Sequence, residues 1–423
     1  MKPNLFTQIQ GDSGRYWVYL GSLLAIIITG LIAAWYMEHK GHWVTGMNNQ
    51  IVWGTPHVFA VFLIISASGA LNVASISSVF GRTIYKPLAR LSTLLALSLL
   101  AGGLMVLVLD LGRPDRLIIA LTTHNFKSIF AWNIFLYNGF FLIVLVYMWM
   151  MLERRMNQYT QIIGLIALIW RFALTTGTGA IFGFLVARQA YDTAIMAPLF
   201  IMMSFSYGLA VFLLVLLFSC KLTKRFLGDV MLQKLKNLQA IFVVAVLYFV
   251  VVQHLTNLYA SEHHGVETFI LLDGGIYTQI FWIGQITVGS LIPLTLFYHP
   301  KTSQNRNVIA LATSMIIFGG FAQLYVIIIA GQAYPFTIFP GYDESSTFYD
   351  GVVASYAPSI PEFLLGLGGI AAALFIVSVA LRALPLLPAR LADIDVDPDY
   401  VESKPNMDEA VKGLKVEKLS EPS

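Results

Sequence analysis

The chain has 423 residues, of which 57% are hydrophobic and only 12% are charged, and its mean hydropathy is +0.73. Soluble globular domains carry less apolar material, so the composition argues against a water-soluble fold. The formal net charge is +3, and no basic patch with interleaved aromatic residues is present, so we expect no nucleic-acid partner.

The hydrophobic residues form long continuous runs rather than short alternating segments. Backbone polar groups in lipid must bond within the chain, so an apolar run of about 20 residues forms a helix. The sequence therefore predicts an all-α polytopic membrane protein with about ten transmembrane helices. We place these helices near residues 15–37, 53–79, 89–109, 129–152, 162–186, 197–219, 237–260, 276–298, 307–330 and 359–382.

Polar segments precede and follow these runs. Residues 1–14 form a polar N-terminus, and the run after it is too long for a signal-peptide core, so the first helix is expected to be retained. The membrane domain is predicted to cover residues 15–388. Residues 389–423 contain too little apolar material to pack a core and are predicted to be a disordered tail.

A weak internal repeat divides the helices into two sets. Ser66-Ala67-Ser68-Gly69 in the second helix resembles Ser206-Tyr207-Gly208 in the sixth, and Trp132 precedes Gly139 by the spacing that separates Trp282 from Gly289. The repeat predicts two four-helix bundles, helices 2–5 and 6–9, flanked by helices 1 and 10. Close helix packing through small residues explains the same pattern without any duplication.

Cations are distributed unevenly over the connections between helices. Of the 26 Lys and Arg, 20 fall in the two termini and every second connection, 5 fall in the other connections, and Arg171 lies inside the fifth helix. Short loops rich in Lys and Arg stay in the cytoplasm. This split predicts that both termini are cytoplasmic in a bacterial inner membrane and that the connection 331–358 lies outside.

The cysteine and histidine content limits the cofactors that the protein can hold. Cys220 is the only cysteine, which excludes intrachain disulfides and an iron–sulfur cluster bound by this protein alone, and no CxxCH motif for covalent haem is present. His57 and His254 are the two histidines deep in helices, whereas a two-haem cytochrome needs four axial ligands. We expect no bound cofactor and no metal, with a single haem as the alternative.

Ionisable side chains cluster at the helix ends that the charges place outside. His57 and His254 lie near the outer ends of helices 2 and 7, Asp110 ends helix 3, and Glu362 begins helix 10. Quinones need hydrogen-bond partners for their carbonyls and groups that exchange protons near neutral pH. We predict one outer pocket that holds all four residues as a quinone site, with His57 and Asp110 as catalytic groups. For each residue, the alternative is an ordinary hydrogen bond at the membrane interface.

Three further sets of residues are candidates for function. Tyr137 is a candidate quinone contact that helix–helix hydrogen bonding would also explain. Arg171, near mid-bilayer, and Glu362 are candidates for a proton path, although Arg171 could only satisfy carbonyls between helices. Partner docking is predicted for Arg113, Asp115 and Arg116, for which local pairing of these arginines with Asp110 and Asp115 is the alternative.

Six motifs are spread over nearly all of the membrane region. The most specific is LDLGRPDR from Leu109. The others are WGTPHVF from Trp53, FAWNIFLYNGF from Phe130, APLFIMMSFSYGLA from Ala197, FWIGQITVGSLIPL from Phe281 and YAPSIPEFLLGLGG from Tyr356. With these motifs the chain resembles the NrfD/PsrC family, the membrane subunits of polysulfide reductase and related complexes. The segment GQAYPFTIFPGYDESSTFYDG further resembles the DsrP branch, a component of the sulfur-metabolism complex DsrMKJOP.

The resemblance implies a subunit without a cofactor of its own that uses menaquinone or ubiquinone as substrate near the periplasmic face. Its implied partners are a ferredoxin-like iron–sulfur subunit docked there and other membrane and cytochrome subunits, so it would be an enzyme only within the complex. Several relatives carry a histidine in helix 5 where this chain reads LTTGTG from Leu174, so their proton handling does not transfer.

Two readings from other classes fit parts of the same pattern. A secondary transporter with duplicated units would place its substrate site at mid-membrane, where Arg171 is the one ionisable residue. A membrane anchor without quinone chemistry would use the same outer loops. Quinone that co-purifies with the protein would separate the first hypothesis from both.

Overall fold

A computed structural model describes residues 6–336 and 351–393 of the chain. Within these residues, ten helices are long and apolar enough to cross a membrane, which confirms the predicted all-α polytopic fold. They are α1 Gly14–Lys40, α2 Thr55–Ser78, α3 Thr83–Leu109, α4 Ile129–Leu152, α5 Asn157–Gly183, α6 Met196–Leu222, α7 Asp229–Tyr259, α8 Ile276–Tyr298, α9 Arg306–Ala333 and α10 Ile360–Ala383.

Four of these helices contain irregular turns. α2 is interrupted at Leu71, and α3 opens with a 3₁₀ segment, Thr83–Leu88. α8 is π-helical over Ile280–Leu291, and α9 is π-helical over Val326–Ala330. Because π-helix is rare and is found disproportionately at functional sites, α8 and α9 are candidates for a functional region.

The helices pack around α2. In the most apolar stretch of α2, 94% is buried inside the protein, whereas the corresponding share in α1 is 28%. Helix α2 is therefore central and α1 is peripheral. α2 packs against α3 and α6, α4 packs against α5, and α8 packs against α9, while α6 also contacts α5, α7 and α9. These contacts are consistent with the predicted bundles α2–α5 and α6–α9, which meet along α2 and α6.

The repeat residues make equivalent contacts in the two bundles. Gly69 of α2 and Gly208 of α6 meet at the interface between the bundles, where a Cβ on Gly208 would overlap the backbone of Gly69. The indole of Trp132 donates to the carbonyl of Phe126 at 2.8 Å, and that of Trp282 donates to the carbonyl of Leu271 at 2.9 Å. In each bundle this tryptophan thus ties the start of the third helix to the segment before it.

Helices α1 and α10 lie together beside the first bundle. Gly30 of α1 approaches the backbone of α10 at Gly368, and α10 in turn packs against α3 and α2. Small residues allow this close approach in the absence of large side chains. The two flanking helices therefore form a pair on one side of the molecule.

The two ends of the bundle differ in what they carry. The first is here called the His57 end; it holds the start of α2 and the ends of α1, α3 and α7. The other, called the tail end, holds a two-stranded antiparallel pair of β1 Phe6–Thr7 and β2 Leu387–Pro388. Both terminal segments therefore lie at the same end of the bundle.

The C-terminal segment after α10 packs against the tail end of the bundle. Leu391 and Ala392 are buried, and the carboxylate of Asp393 accepts hydrogen bonds from the first backbone amides of α7 at 3.2 and 3.0 Å. A carboxylate in this position satisfies free amides and opposes the positive end of the helix dipole. Residues 391–393 of the predicted tail thus contact the bundle, residues 1–5 and 394–423 lie outside the described part, and the disordered tail stays a prediction.

Candidate functional site

The structure pairs His57 with Asp110 at the His57 end. His57 lies in the first turn of α2, and Asp110 is the residue that ends α3. Nδ1 of His57 lies 3.2 Å from Oδ2 of Asp110, and the two side chains are 20% and 3% exposed. An imidazole bonded to a buried carboxylate can take up a proton and pass it on, as general acid–base chemistry requires.

Each member of this pair keeps an open polar atom. Oδ1 of Asp110 is buried and has no hydrogen-bond partner among the described residues. Nε2 of His57 also makes no hydrogen bond within residues 6–336 and 351–393, and its ring is partly exposed. Buried polar atoms normally find partners, so Oδ1 of Asp110 points to a ligand or a water at this place, and Nε2 of His57 is open to the same ligand.

An aromatic ring covers one face of the imidazole. The ring of Trp53 stacks on that of His57 with centroids 5.7 Å apart and planes 16° apart. Trp53 in turn contacts Phe130, Phe182 and Tyr191, with centroids 5.7 to 6.5 Å apart. Flat apolar faces beside a hydrogen-bonding imidazole suit a planar ring that carries carbonyl oxygens.

Residues from α9 and from the connection after α5 hold the backbone around Trp53. Oε1 of Gln332 accepts hydrogen bonds from the amides of Val52 and Trp53 at 2.9 and 3.0 Å. The guanidinium of Arg188 donates to the carbonyls of Gln332 and Gln50 at 2.7 and 2.6 Å. Burial lowers the pKa of Arg188. This network connects the two bundles at the edge of the site.

The turn after Asp110 requires glycine. Gly112 has a φ of +69°, in the left-handed region that side chains disfavour, and a Cβ there would lie 3.0 Å from Nε2 of His42. The turn directs the backbone away from the bundle after α3, while Asp110 stays bonded to His57. The Leu-Asp-Leu-Gly-Arg-Pro motif thus has a structural reason at its glycine.

Glu362 lies on the other side of the start of α2 and is fully bonded. Oε2 accepts from the backbone amides of Gly46 and Ser359 at 2.9 and 2.7 Å, and Oε1 accepts from the hydroxyl of Tyr356 at 2.7 Å. Tyr356 also bonds Thr55, and burial raises its pKa. These contacts favour a positioning role, in which Glu362 caps α10 and holds the first connection against α2.

His254 belongs to a separate cluster in the second bundle. Its Nδ1 lies 2.6 Å from Oε2 of Glu267, whose Oε1 accepts from Asn257 at 2.8 Å. A carboxylate from the connection after α7 thus bonds this imidazole, and one pocket for all four ionisable residues stays a prediction. Sequence reasoning missed Glu267, which follows the helix end in a polar run and resembles a surface residue.

Tyr137 and Arg171 bond to neighbouring helices. The hydroxyl of Tyr137 lies 3.2 Å from that of Thr178 on α5. The buried guanidinium of Arg171 donates to the carbonyl of Ser68 at 3.2 Å and to the side chain of Asn72. Both contacts fit the helix–helix alternatives that the sequence allowed, and a role in quinone binding or proton transfer stays a prediction for each.

The predicted docking segment is at the surface. Nε of Arg113 lies 3.2 Å from Oδ1 of Asp115, and this hydrogen bond lowers the pKa of Asp115 below its ordinary value. Arg116 is exposed. An exposed pair of this kind contributes little to stability, so it gives no structural reason for two arginines at this end.

Comparison with known proteins identifies the family. The sequence profile described as polysulphide reductase, NrfD, matches residues 43–335, which is more than half of the chain. The chain belongs to the NrfD family. It is a multi-pass integral membrane protein. The match covers the segment that carries His57 and Asp110 together with both four-helix bundles.

Relatives of the chain are subunits of oxidoreductases. The chain is 29% identical to the Hdr-like menaquinol oxidoreductase integral membrane subunit of Archaeoglobus fulgidus, over 92% of this chain and 98% of that protein. A selenate reductase subunit of Mesobacillus selenatarsenatis is 22% identical, over 87% and 94%. One of the chains of the polysulfide reductase of Wolinella succinogenes is 25% identical, over 68% and 96%.

Proposed function

We propose that this protein is the quinone-reactive membrane subunit of a multi-subunit oxidoreductase, with its reaction site at His57 and Asp110. The observation that carries the proposal is the pair of a half-buried imidazole, stacked on Trp53, with a buried carboxylate, each with one open polar atom. Because the sequence holds only one cysteine, the electrons pass to a cluster in a partner subunit. The protein is then an enzyme only within its complex.

The chemistry follows from the two open atoms. In quinol oxidation, one O–H of the ring donates to the His57–Asp110 pair, which accepts that proton as the ring loses an electron. Two such steps release two protons and two electrons and leave the quinone. In the reverse direction the pair returns the proton to the ring oxygen.

The relatives support the choice of substrate and metabolism. One of them is named a menaquinol oxidoreductase subunit and another belongs to a polysulfide reductase. We take menaquinone as the substrate rather than ubiquinone and place the complex in respiratory sulfur metabolism. The DsrP-like stretch supports this placement by sequence alone, because most of it, residues 337–350, lies outside the described part of the chain.

The decisive assay is quinol-dependent electron transfer to the partner subunit by the assembled complex in membranes. It should require both His57 and Asp110. A complex that assembles fully but does not oxidise quinol would favour the alternative of a membrane anchor without quinone chemistry. A transporter is not supported, because the one central charge, Arg171, is buried and bonded to α2.

The protein is proposed to lie in the cytoplasmic membrane with both termini on the cytoplasmic side. This orientation places His57 and Asp110 on the outer side. The 20-to-5 division of Lys and Arg between the two ends supports this orientation. A reporter fused after Ser423 is expected to be active only in its cytoplasmic form. Alkaline phosphatase activity from that fusion would reverse the topology and move the quinone site to the cytoplasmic side.

The exposed segment 113–116 is proposed to dock a periplasmic ferredoxin-like iron–sulfur subunit. Replacing Arg113 and Arg116 by Ala should weaken co-purification of partner subunits while insertion of this chain stays normal, because the two side chains make few contacts within it. Lys127→Ala, an exposed cation in the same connection, is the matched control. Full assembly of the double variant would leave local pairing with Asp115 as the only role.

A further inference from the structure

A glutamine at the end of α9 holds the segment that precedes α2. Gln332 lies in the last turn of α9 and is buried. Its Oε1 atom accepts from the amides of Val52 and Trp53, and its Nε2 atom donates to the carbonyl of Trp53 at 2.9 Å. A side-chain amide carries the same donor and acceptor groups as a peptide bond. Gln332 therefore holds residues 52 and 53 as a neighbouring strand would.

The segment that carries Trp53 has no regular structure of its own. It forms neither helix nor strand before α2 begins. The side chain of Asn48 accepts hydrogen bonds from the amides of Gln50 and Ile51 at 2.9 and 2.8 Å and so forms a turn. Gln332 takes the two amides that follow. Side chains rather than a helix or a sheet thus fix the backbone at Trp53, and Gln332 supplies the last of these contacts.

The π-helical turn of α9 sets the direction in which Gln332 points. The amide of Gly331 donates to the carbonyl of Val326, five residues back. One wide turn adds a residue, so the residues after it are rotated by about 100° relative to a regular α-helix. Within the turn, the carbonyl of Ile328 accepts from Nε2 of Gln332 at 2.7 Å and from the hydroxyl of Tyr191 at 2.8 Å. The irregular turn therefore orients the glutamine and supplies its fourth hydrogen bond.

Two connections hold the end of α9 in place. The side chain of Gln50 donates to the carbonyl of Ala333 at 3.1 Å, and the guanidinium of Arg188 donates to another carbonyl of the last turn. A cation is favourable at this end of a helix, where carbonyls lack partners in the helix. A Cβ on Gly331 would lie 2.6 Å from the ring of Tyr191, so glycine lets that ring pack against the helix. The last turn of α9 is thus fixed from two sides.

Trp53 connects this fixed helix end to the imidazole of the site. Its backbone is held by Gln332, and its ring stacks on that of His57. A shift of the backbone at Trp53 would move the ring that covers one face of the imidazole. Reaction rates depend on the placement of reacting groups to within about 1 Å. The orientation of His57 and the aromatic surface beside it therefore depend on a side chain of the second bundle.

We propose that Gln332 is a positioning residue of the quinone site and acts on His57 through Trp53. Both N–H groups and both acceptor positions of its amide are used by the protein, so it contributes to the reaction without touching the quinone. The inference rests on the proposed function, because it assigns Gln332 to the site where quinol is oxidised. It also gives the π-helical turn of α9 a role, which is to present this glutamine to the start of α2.

A double-mutant cycle on quinol turnover by the assembled complex tests the proposal. Gln332→Met keeps the length of the side chain but makes none of its four hydrogen bonds. It should lower kcat/KM for quinol by roughly 10- to 100-fold, the scale of a small misplacement of reacting groups, with a rise in KM because the aromatic surface also moves. Gln332→Met combined with Trp53→Leu should be no slower than Trp53→Leu alone, because the ring through which Gln332 acts is then absent. A purely structural role would lower turnover by the same factor in both backgrounds.

The matched control is Gln233→Met at the tail end, which removes a 3.0 Å hydrogen bond to the carbonyl of Ser303 and should leave turnover as in the wild type. Complex assembly is checked for every variant. If Gln332→Met does not assemble, the shorter amide of Gln332→Asn is judged by the same criteria.

Two results would overturn the inference. One is wild-type turnover in an assembled Gln332 variant, and the other is a full additional loss when that variant is combined with Trp53→Leu. Failure of the proposed function is distinguishable, because His57→Leu and Trp53→Leu would then also turn over quinol normally. Loss in those two variants with normal turnover in the Gln332 variant removes only the positioning role.

Discussion

Replacing Asp110 by Asn is expected to lower quinol turnover by the assembled complex by roughly 10²-fold or more, which is the scale of a lost acid–base group. The amide keeps the size of the carboxyl group and can still bond His57, so the fold should survive. The amide cannot accept a proton from quinol. The open oxygen of the site, Oδ1, would remain, but without the negative charge of the carboxylate. The rate constant of turnover should therefore fall more than complex assembly does.

His57→Leu should give a loss of similar size for a different reason. Leucine fills the space of the imidazole against Trp53 but removes the open Nε2 atom and leaves Asp110 buried without its partner. Apparent affinity for quinol should fall together with the rate, because a hydrogen bond to the bound ring is lost. Initial rates over a range of quinol concentrations separate the two variants.

The control for both variants is Asp273→Asn, an exposed carboxylate at the same end of the bundle. It should turn over quinol at the wild-type rate. Complex assembly is measured first, by co-purification of the partner subunits. If fully assembled complexes that carry Asp110→Asn or His57→Leu oxidised quinol normally, the substituted position would be an ordinary interfacial residue and the reaction site would lie elsewhere.

The sequence predicted the helices well because lipid leaves few alternatives to a continuous apolar helix. Its errors fall where polar residues continue a helix. The prediction began helix 7 at residue 237, whereas α7 begins at Asp229. Lys236 is buried there because carbonyls from the last turn of α8 and from the connection after it accept hydrogen bonds from its ammonium group, and such distant partners leave no local signal.

The candidate site was only partly predictable. Depth along the helices and the presence of a carboxylate at a helix end indicated His57 and Asp110. The pairing itself depends on the turn at Gly112, which separates Asp110 from the arginine that follows it. Asp110 therefore bonds His57, and Arg113 bonds Asp115 instead. His254 matched His57 in depth, yet a carboxylate ten residues beyond Asn257 decided its environment.

Gly208→Leu should abolish stable folding of the protein, because α2 and α6 touch backbone to backbone at this residue. Any Cβ on Gly208 would overlap Gly69, and the nearest atoms are main-chain atoms of α2 that have no freedom to rotate away. Forcing large groups into packed cores costs about 1–3 kcal/mol and more where the backbone must move. Here the two bundles would have to separate along the most buried helix of the fold.

The matched control is Gly21→Leu, because Gly21 is an exposed glycine of α1 with nothing within 4 Å of an added Cβ. Both variants insert the same side chain into a membrane helix, so they differ only in what that side chain meets. Size-exclusion chromatography in detergent and the thermal midpoint should show Gly21→Leu as the wild type, and Gly208→Leu mostly aggregated or absent. A monodisperse Gly208→Leu protein with an unchanged midpoint would show that the two bundles do not meet at these glycines, and the assignment of α2 and α6 as their shared interface would have to be withdrawn.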